Sequence, residues 1–203
     1  MPQRGLQIKA AIRDILETAL LTLVIFLGVR FGVQTFRVEG FSMEPTLRTN
    51  QYLLVNKVTY MVGEPKRGDV VVLKFPQDPR RDFIKRVIAL PGEEVEVRGG
   101  TVYVDGKGLT EPYILSKPAY SYPRKKVPPG SYFVLGDNRN NSHDSHVWDW
   151  LPKEYIIGKA WVSYWPMDTW GAVHHDGFQM ATAAPSAVGW IATAVTEAAP
   201  APA

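Results

Sequence analysis

The chain reads as mainly β: coiled antiparallel sheets or a partly open barrel, preceded by one N-terminal transmembrane helix. Three features carry that expectation. One strongly apolar run, Thr18 to Val29, lies near the N-terminus. Short runs rich in branched residues then recur every ten to twenty residues from Arg37 to about Pro166, with no helix-length periodic run between them. The 16 prolines and 17 glycines suit strands joined by many turns. Apolar residues are 45% and charged residues 21% of 203, the composition of a folded chain.

Twelve helical residues span only about 18 Å, short of a hydrocarbon core of about 30 Å. The flanks lengthen the run. From Ile15 to Phe36, with Glu17 and Arg30 reaching outward, it is long enough to span, and Arg30 is tolerable near an interface because its stem can snorkel. Arg4, Lys9 and Arg13 precede the run, which places residues 1–14 in the cytoplasm and everything after residue 36 outside. No small-x-small cleavage pattern follows, so residues 15–36 are expected to be an uncleaved anchor. A buried or amphipathic helix is the alternative.

Strands are expected within 51–58, 69–75, 83–90, 94–97, 101–104, 131–135 and 158–165. Gly99-Gly100 between two alternating runs marks a hairpin, and Asp105-Gly106 another turn. Residues 105–130 hold five prolines and several aromatics, and read as an extended insertion or surface loop within a domain spanning 37–170. Residues 171–203, rich in Ala and Pro, read as a disordered tail.

The net charge of +3 is spread without a dense cationic block, which argues against a nucleic-acid partner. The absence of cysteine removes disulfides, thiolate metal sites and a Cys nucleophile. Three constellations remain. Val38 to Leu47 (VEGFSMEPTL) presents Ser42 among turn-forming residues directly after the anchor. Phe83 to Gly92 (FIKRVIALPG) places a lysine inside an apolar strand. Alternation puts Phe83, Lys85 and Val87 on one face and Ile84, Arg86 and Ile88 on the other; an edge strand with both cations in water is the plain alternative. Gly136 to Trp148 (GDNRNNSHDSHVW) is dense in short polar side chains.

A Ser–Lys dyad joins them chemically. A serine hydroxyl needs a base within hydrogen-bond reach. Lysine is a base only when neutral, and desolvation can lower its usual pKa of about 10.4 by roughly 3–5 units. Lys85 has the apolar neighbours for that; Lys57, Lys66 and Lys74 lie near turns or charges.

Together, in this order and just outside an anchor, the constellations resemble bacterial type I signal peptidase (leader peptidase), a family of Ser/Lys-dyad serine proteases. The resemblance rests on Ser42-Met43-x-Pro45-Thr46-Leu47, on Lys85-Arg86-Val87-Ile88-x-Leu90-Pro91-Gly92 and on Gly136-Asp137-Asn138-Arg139-Asn140-Asn141-Ser142-x-Asp144-Ser145. It implies the signal peptidase type of β fold, with Ser42 as nucleophile and Lys85 as general base. It also implies that Ser142 orients the amine and that Asp137, Arg139 and Asp144 hold the loop and site in shape. Val38, Ile84, Phe83 and Leu47 would shape the pockets for small residues at the first and third positions before the cut. The implied activity is removal of signal peptides from exported preproteins after Ala-x-Ala, without cofactor or metal. The implied partners are preprotein signal peptides, the lipid bilayer and the translocation machinery. The implied location is the cell membrane, single-pass, with the catalytic domain on the outer (periplasmic or extracellular) face.

The chain departs from the family pattern at three places. His146 stands where Arg is usual, and an unperturbed histidine titrates near 6.5, so an ion pair there would depend on pH. Asp149 replaces a Gly after Trp148. Gly40 stands where some members place a hydroxyl as second oxyanion donor, leaving the Ser42 N–H as the main donor; losing a donor typically costs about 2.7–4 kcal/mol in the transition state.

Rival readings are a self-cleaving repressor-type protease, a Ser–His hydrolase using His143 or His146 with Asp137 or Asp144, a metal site on the same side chains, and a tethered β domain that binds a partner. The first lacks its DNA-binding arm here. The second lacks a G-x-S-x-G elbow and leaves the lysine strand unexplained. Exposed Trp161, Trp165 and Trp170 would suit either the last or a bilayer interface.

Overall fold

The computed structural model of the chain describes residues 3–175 and 179–180. Helix α1 runs from Gln3 to Gly32. Its stretch Ile12–Gly32, 21 residues with a mean hydropathy of 1.9, is long and apolar enough to cross a membrane and is almost entirely uncovered by protein. Two hydroxyls in it are spent internally: Thr18 Oγ1 donates to Asp14 O and Thr22 Oγ1 to Thr18 O, each at 2.8 Å. The expected anchor reached Phe36, but the helix stops at Gly32. Val33–Arg37 instead forms β1, pairing antiparallel with β2 (Tyr52–Asn56) from Val33↔Asn56 to Arg37↔Tyr52. Branched Val33 and Thr35 favour a strand once a partner edge is present.

After the short α2 (Thr59–Val62) come β3 (Val70–Phe75), β4 (Asp78–Ala89), β5 (Glu94–Arg98), β6 (Thr101–Val104), β7 (Lys107–Thr110), β8 (Tyr122–Lys126) and β9 (Ser131–Leu135). The chain continues through α3 (Ser145–Trp148), β10 (Leu151–Pro152), β11 (Ile156–Trp165), β12 (Gly171–Ala172) and β13 (Gln179–Met180). One sheet has the order β1-β2-β11-β3-β4-β9-β10 with β12 beside β11; the other is β13-β7-β6-β5-β8. All pairings are antiparallel, and neither order returns on itself, so no barrel closes among the described residues. Register shifts of β11 against both β2 and β3, and of β4 against β9, coil the larger sheet.

The expected hairpin joins β5 to β6, Arg98↔Thr101, with both linking glycines at positive φ (Gly99 56°, Gly100 73°), as a two-residue turn between twisted strands requires. Residues 105–130 are more than a loop. They supply β7 and β8, and they bury Leu109, Tyr113, Tyr122 and Val127. The alternation that marks a strand is broken there by prolines, so the pairing is visible only once β5 and β6 stand beside it.

Three apolar clusters form the core. Val95, Val97, Val102 and Val104 of the smaller sheet pack with Phe133 and Leu135. Val71, Leu73, Phe75 and Val87 pack with Tyr132, Trp148 and Leu151. Val70 and Val72, on the other face of β3, pack with Leu53, Val55, Met43 and Leu47. Strand β3 thus buries both faces, which explains its unbroken Val-Val-Val-Leu run. The tail was expected from residue 171, yet Gly171–His175 pack on the domain: β12 pairs with β11, Val173 enters the third cluster, and Val70 N donates to His175 Nδ1 at 3.1 Å. The expectation of disorder for residues 181–203 lies outside the described residues.

Candidate active site

Ser42 sits on the loop that follows β1. The loop is pinned from below by Val38, Met43 and Leu47, all at most 4% exposed. Gly40, at φ +89°, turns the chain where a side chain would be strained, and its N–H donates to Thr49 Oγ1 at 3.0 Å. From the other side Asn138 reaches across. Its backbone N–H donates to Ser42 O at 3.0 Å and its Nδ2 to Phe41 O at 3.2 Å.

Lys85 stands in β4 with Arg81 and Phe83 on the same face by alternation. Its Nζ lies 2.9 Å from Ser42 Oγ and donates to Ile84 O at 2.9 Å, and it sits 5.0 Å from the centre of the Phe83 ring. The residue is 3% exposed. Burial pushes the amine down from 10.5 to about 8, against the opposing pull of the Asp144 and Asp137 carboxylates. The neighbouring Arg86 is fully buried on the opposite face, so neither cation of this strand reaches water as an edge strand would allow.

Arg86 stays charged because its donors are met. Nε and Nη2 bond the two carboxylate oxygens of Asp137 at 2.8 and 2.7 Å, and Nη1 bonds Gly68 O and His174 O. Thr46 Oγ1 adds a hydrogen bond to Asp137 Oδ2 at 2.6 Å. Asp137 therefore ties together the serine loop, the lysine strand and its own loop. Removing one member of such a buried pair typically costs about 3–5 kcal/mol. Arg139 is equally buried: its Nη atoms bond both oxygens of Glu111 at 2.6 and 2.7 Å, and Nε bonds Gly136 O at 3.1 Å. Asp144 caps α3 by accepting from His146 N, and accepts Gly136 N at 2.8 Å. His146 Nδ1 lies 2.6 Å from Asp144 Oδ1, and its ring stacks on Tyr120 at 4.0 Å. The departure from Arg thus retains contact with the same carboxylate. Asp149, the second departure, takes hydrogen bonds from Tyr122 OH and Lys125 Nζ.

Ser142 Oγ is buried with no hydrogen-bond partner among the described residues. It packs against Gly136. A Cβ built there would stand 2.3 Å from Ser142 Oγ and 2.4 Å from Ser42 O, so the loop approaches the nucleophile only because residue 136 has no side chain.

A groove of about 650 Å³ opens beside the dyad, lined among others by Val38, Ser42, Val72, Phe83, Ile84 and Lys85. Val38, Phe83 and Ile84 lie where they are expected. Leu47 does not line the groove: it is 2% exposed in the core and borders a separate cavity of about 310 Å³ behind the serine loop. His143 lines the groove with its ring edge towards Phe75 and Phe83, while the described partner of Ser42 Oγ is Lys85.

Sequence reasoning missed Arg86 as the partner of Asp137, Glu111 as the partner of Arg139, and Asn138 as the brace of the serine loop. Their signal was weak. Glu111 falls in a proline-broken stretch, and a polar loop does not reveal which of its amides faces inward.

A model of the signal peptidase family, peptidase S26, matches residues 12–165. A probable signal peptidase I-2 of Synechocystis sp. is 44% identical over 167 residues, covering 79% of this chain and 76% of that protein. A signal peptidase I of Leptolyngbya laminosa is 46% identical over 164 residues, covering 77% and 81%. Signal peptidase IB of Staphylococcus aureus is 32% identical over 176 residues, covering 78% and 91%. A crystal structure of a signal peptidase I from Enterococcus faecalis aligns over 48% of this chain and 97% of that one, at 31% identity and a TM-score of 0.42. With the family model spanning most of its length and relatives matched over most of theirs, the chain belongs to the signal peptidase family of serine peptidases, peptidase S26.

Proposed function

We propose that this protein is a membrane-bound signal peptidase I that cleaves N-terminal signal peptides from exported preproteins after small residues, Ala-x-Ala, with Ser42 as nucleophile and Lys85 as general base. The observation that carries the reading is the 2.9 Å contact between Ser42 Oγ and a lysine amine kept 3% exposed. A neutral Lys85 accepts the Ser42 proton as Oγ attacks the scissile carbonyl. The Ser42 N–H is the donor nearest the developing oxyanion. The amine then gives its proton to the leaving nitrogen, which releases the mature N-terminus. It next deprotonates a water that resolves the acyl ester. Ser142, its hydroxyl unspent beside Gly136, is the group suited to orient the amine. Asp137, Arg139 and Asp144 hold the three segments in register.

Strand β4 also supports peptide binding. It pairs with β3 over Asp78–Arg86, but β9 joins its other edge only from Arg86. The edge at Phe83 and Ile84 is free to accept an extended peptide as an added strand, with Val38, Phe83 and Ile84 shaping small pockets. The exposed apolar α1 supports an anchor, and exposed Trp161, Trp165, Met167 and Trp170 support an outer bilayer interface. The cations before the span support a cytoplasmic N-terminus, a single pass and work on chains emerging from the translocation machinery.

Ser42→Ala and Lys85→Ala are expected to fold yet lose at least about a thousandfold in processing of an Ala-x-Ala preprotein. The wild-type rate should rise with pH through about 8, because only the neutral amine is a base. Full activity in either variant, or a rise near 10.5, would overturn the dyad.

A further inference from the structure

Arg81, Phe83 and Lys85 alternate along one face of β4, each step of two residues advancing about 6.6 Å. The two arginines beside each other in this strand differ. Arg80 is bound to Asp78 through Nε at 2.8 Å and Nη2 at 3.2 Å. Arg81 has no carboxylate within ion-pair distance among the described residues. Its guanidinium rests instead over two rings, 5.2 Å from the centre of Phe83 and 5.9 Å from that of Phe75. Those rings stack on each other at 4.8 Å, so they form a fixed platform. Arg81 lines the same groove as the dyad. The acidic residues of that groove do not neutralise it: Asp82 lies opposite Lys74 and points to the other face by alternation, and Glu39 belongs to the loop across the groove.

If the small-residue pockets are formed by Ile84 and Phe83, the part of the substrate before the cut runs along β4 from Lys85 towards Asp78. An extended peptide keeps the strand's own repeat. Its first, third and fifth residues before the cut then face the same way, opposite Lys85, Phe83 and Arg81 in turn. We propose that Arg81 is a specificity-determining residue of this groove that selects an acidic side chain at the fifth residue before the cut and disfavours a basic one there. The assignment rests on the peptidase reading given above. A cation pre-positioned on an aromatic platform loses little freedom on meeting a carboxylate, and its planar fork suits two hydrogen bonds to it.

The test uses the full-length enzyme in detergent and preproteins ending in Ala-x-Ala that differ only at the fifth residue before the cut: Glu, Gln or Lys. For the wild type, kcat/KM is expected to fall from Glu to Gln to Lys by about two- to fivefold per step, the range of a partly exposed ion pair. Arg81→Gln should flatten the series, and Arg81→Glu should reverse it. The same three residues placed at the fourth position, which faces away, should give ratios near one. Equal rates for all three wild-type substrates, a preference that survives in Arg81→Gln, or an equal effect at the fourth position would overturn the proposal while leaving the peptidase reading intact. No cleavage even of the Gln substrate would overturn that reading and this inference with it.

Discussion

Lowering the Lys85 amine from 10.5 to about 8 gives the enzyme a base near neutral pH and costs the fold stability. One pKa unit corresponds to 1.36 kcal/mol, so the cost is on the order of 3 kcal/mol. Its pH dependence has a definite sign. Below about 8 the amine is protonated in both folded and unfolded chains, and the folded state carries the full penalty. Between about 8 and 10.5 only the unfolded chain binds the proton, so stability rises with pH. Above 10.5 the penalty is gone. Lys85→Met, of similar shape and without charge, should therefore stabilise the protein at pH 7 by up to about 3 kcal/mol, with the gain vanishing near pH 10.5. Denaturant titrations of both proteins at the two pH values check this; a gain independent of pH would show that the amine is not desolvated. Arg86, one residue on, is buried more completely yet stays charged, because Asp137 and backbone carbonyls meet its donors. Adjacent cations thus acquire opposite characters from what faces them.

The loop from Gly136 to Asp144 acts as the clamp between the serine loop and the lysine strand. Asn138 holds the Phe41 and Ser42 carbonyls, Asp137 holds Arg86 and Thr46, and Arg139 returns to Gly136 O. The approach is close enough that residue 136 admits no side chain. Gly136→Ala places a Cβ 2.4 Å from Ser42 O and 2.3 Å from Ser142 Oγ, and both are anchored. The backbone must shift, so kcat should fall by about a hundredfold, the usual result of a displacement near 1 Å, with KM changed far less. Overpacking should also destabilise the fold by about 1–3 kcal/mol. Steady-state kinetics and thermal melts test the two parts separately; wild-type kcat would show that the clamp does not position the serine.

Across the whole molecule, the segment Gly171–His175 closes the core behind the site. Val173 is 6% exposed in the cluster that holds Met43 and Leu47, His174 O accepts from Arg86, and Val70 N donates to His175 Nδ1. Burial pushes His175 down to about 4, with Lys159 adding to the effect, so it remains a neutral acceptor at working pH. Truncation after Trp170 removes a buried apolar side chain and leaves Arg86 and Val70 short of acceptors. The expected loss is about 2–4 kcal/mol, or a fall in Tm of about 5–15 °C. An unchanged Tm on scanning calorimetry would make the segment a passive appendage.

The local order of the chain was legible from residues alone. Alternation in β2, β5 and β6, the glycine pair between the last two, and the unbroken apolar run of β3 each report a neighbour within a few residues, so each strand announces itself. The dyad was legible for a related reason: a lysine set among Phe83, Ile84 and Val87 has few surroundings except an apolar one. Pairings across long separations left no such mark. Arg86 with Asp137 and Arg139 with Glu111 are 51 and 28 residues apart, and both depend on how the sheets coil. The same coiling converts residues 105–130 from an apparent loop into two strands, carries Leu47 away from the groove, and draws Val173 inward. Side-chain chemistry and short-range periodicity are written along the chain; which distant charges meet in the dry interior is settled when β4 packs between β3 and β9.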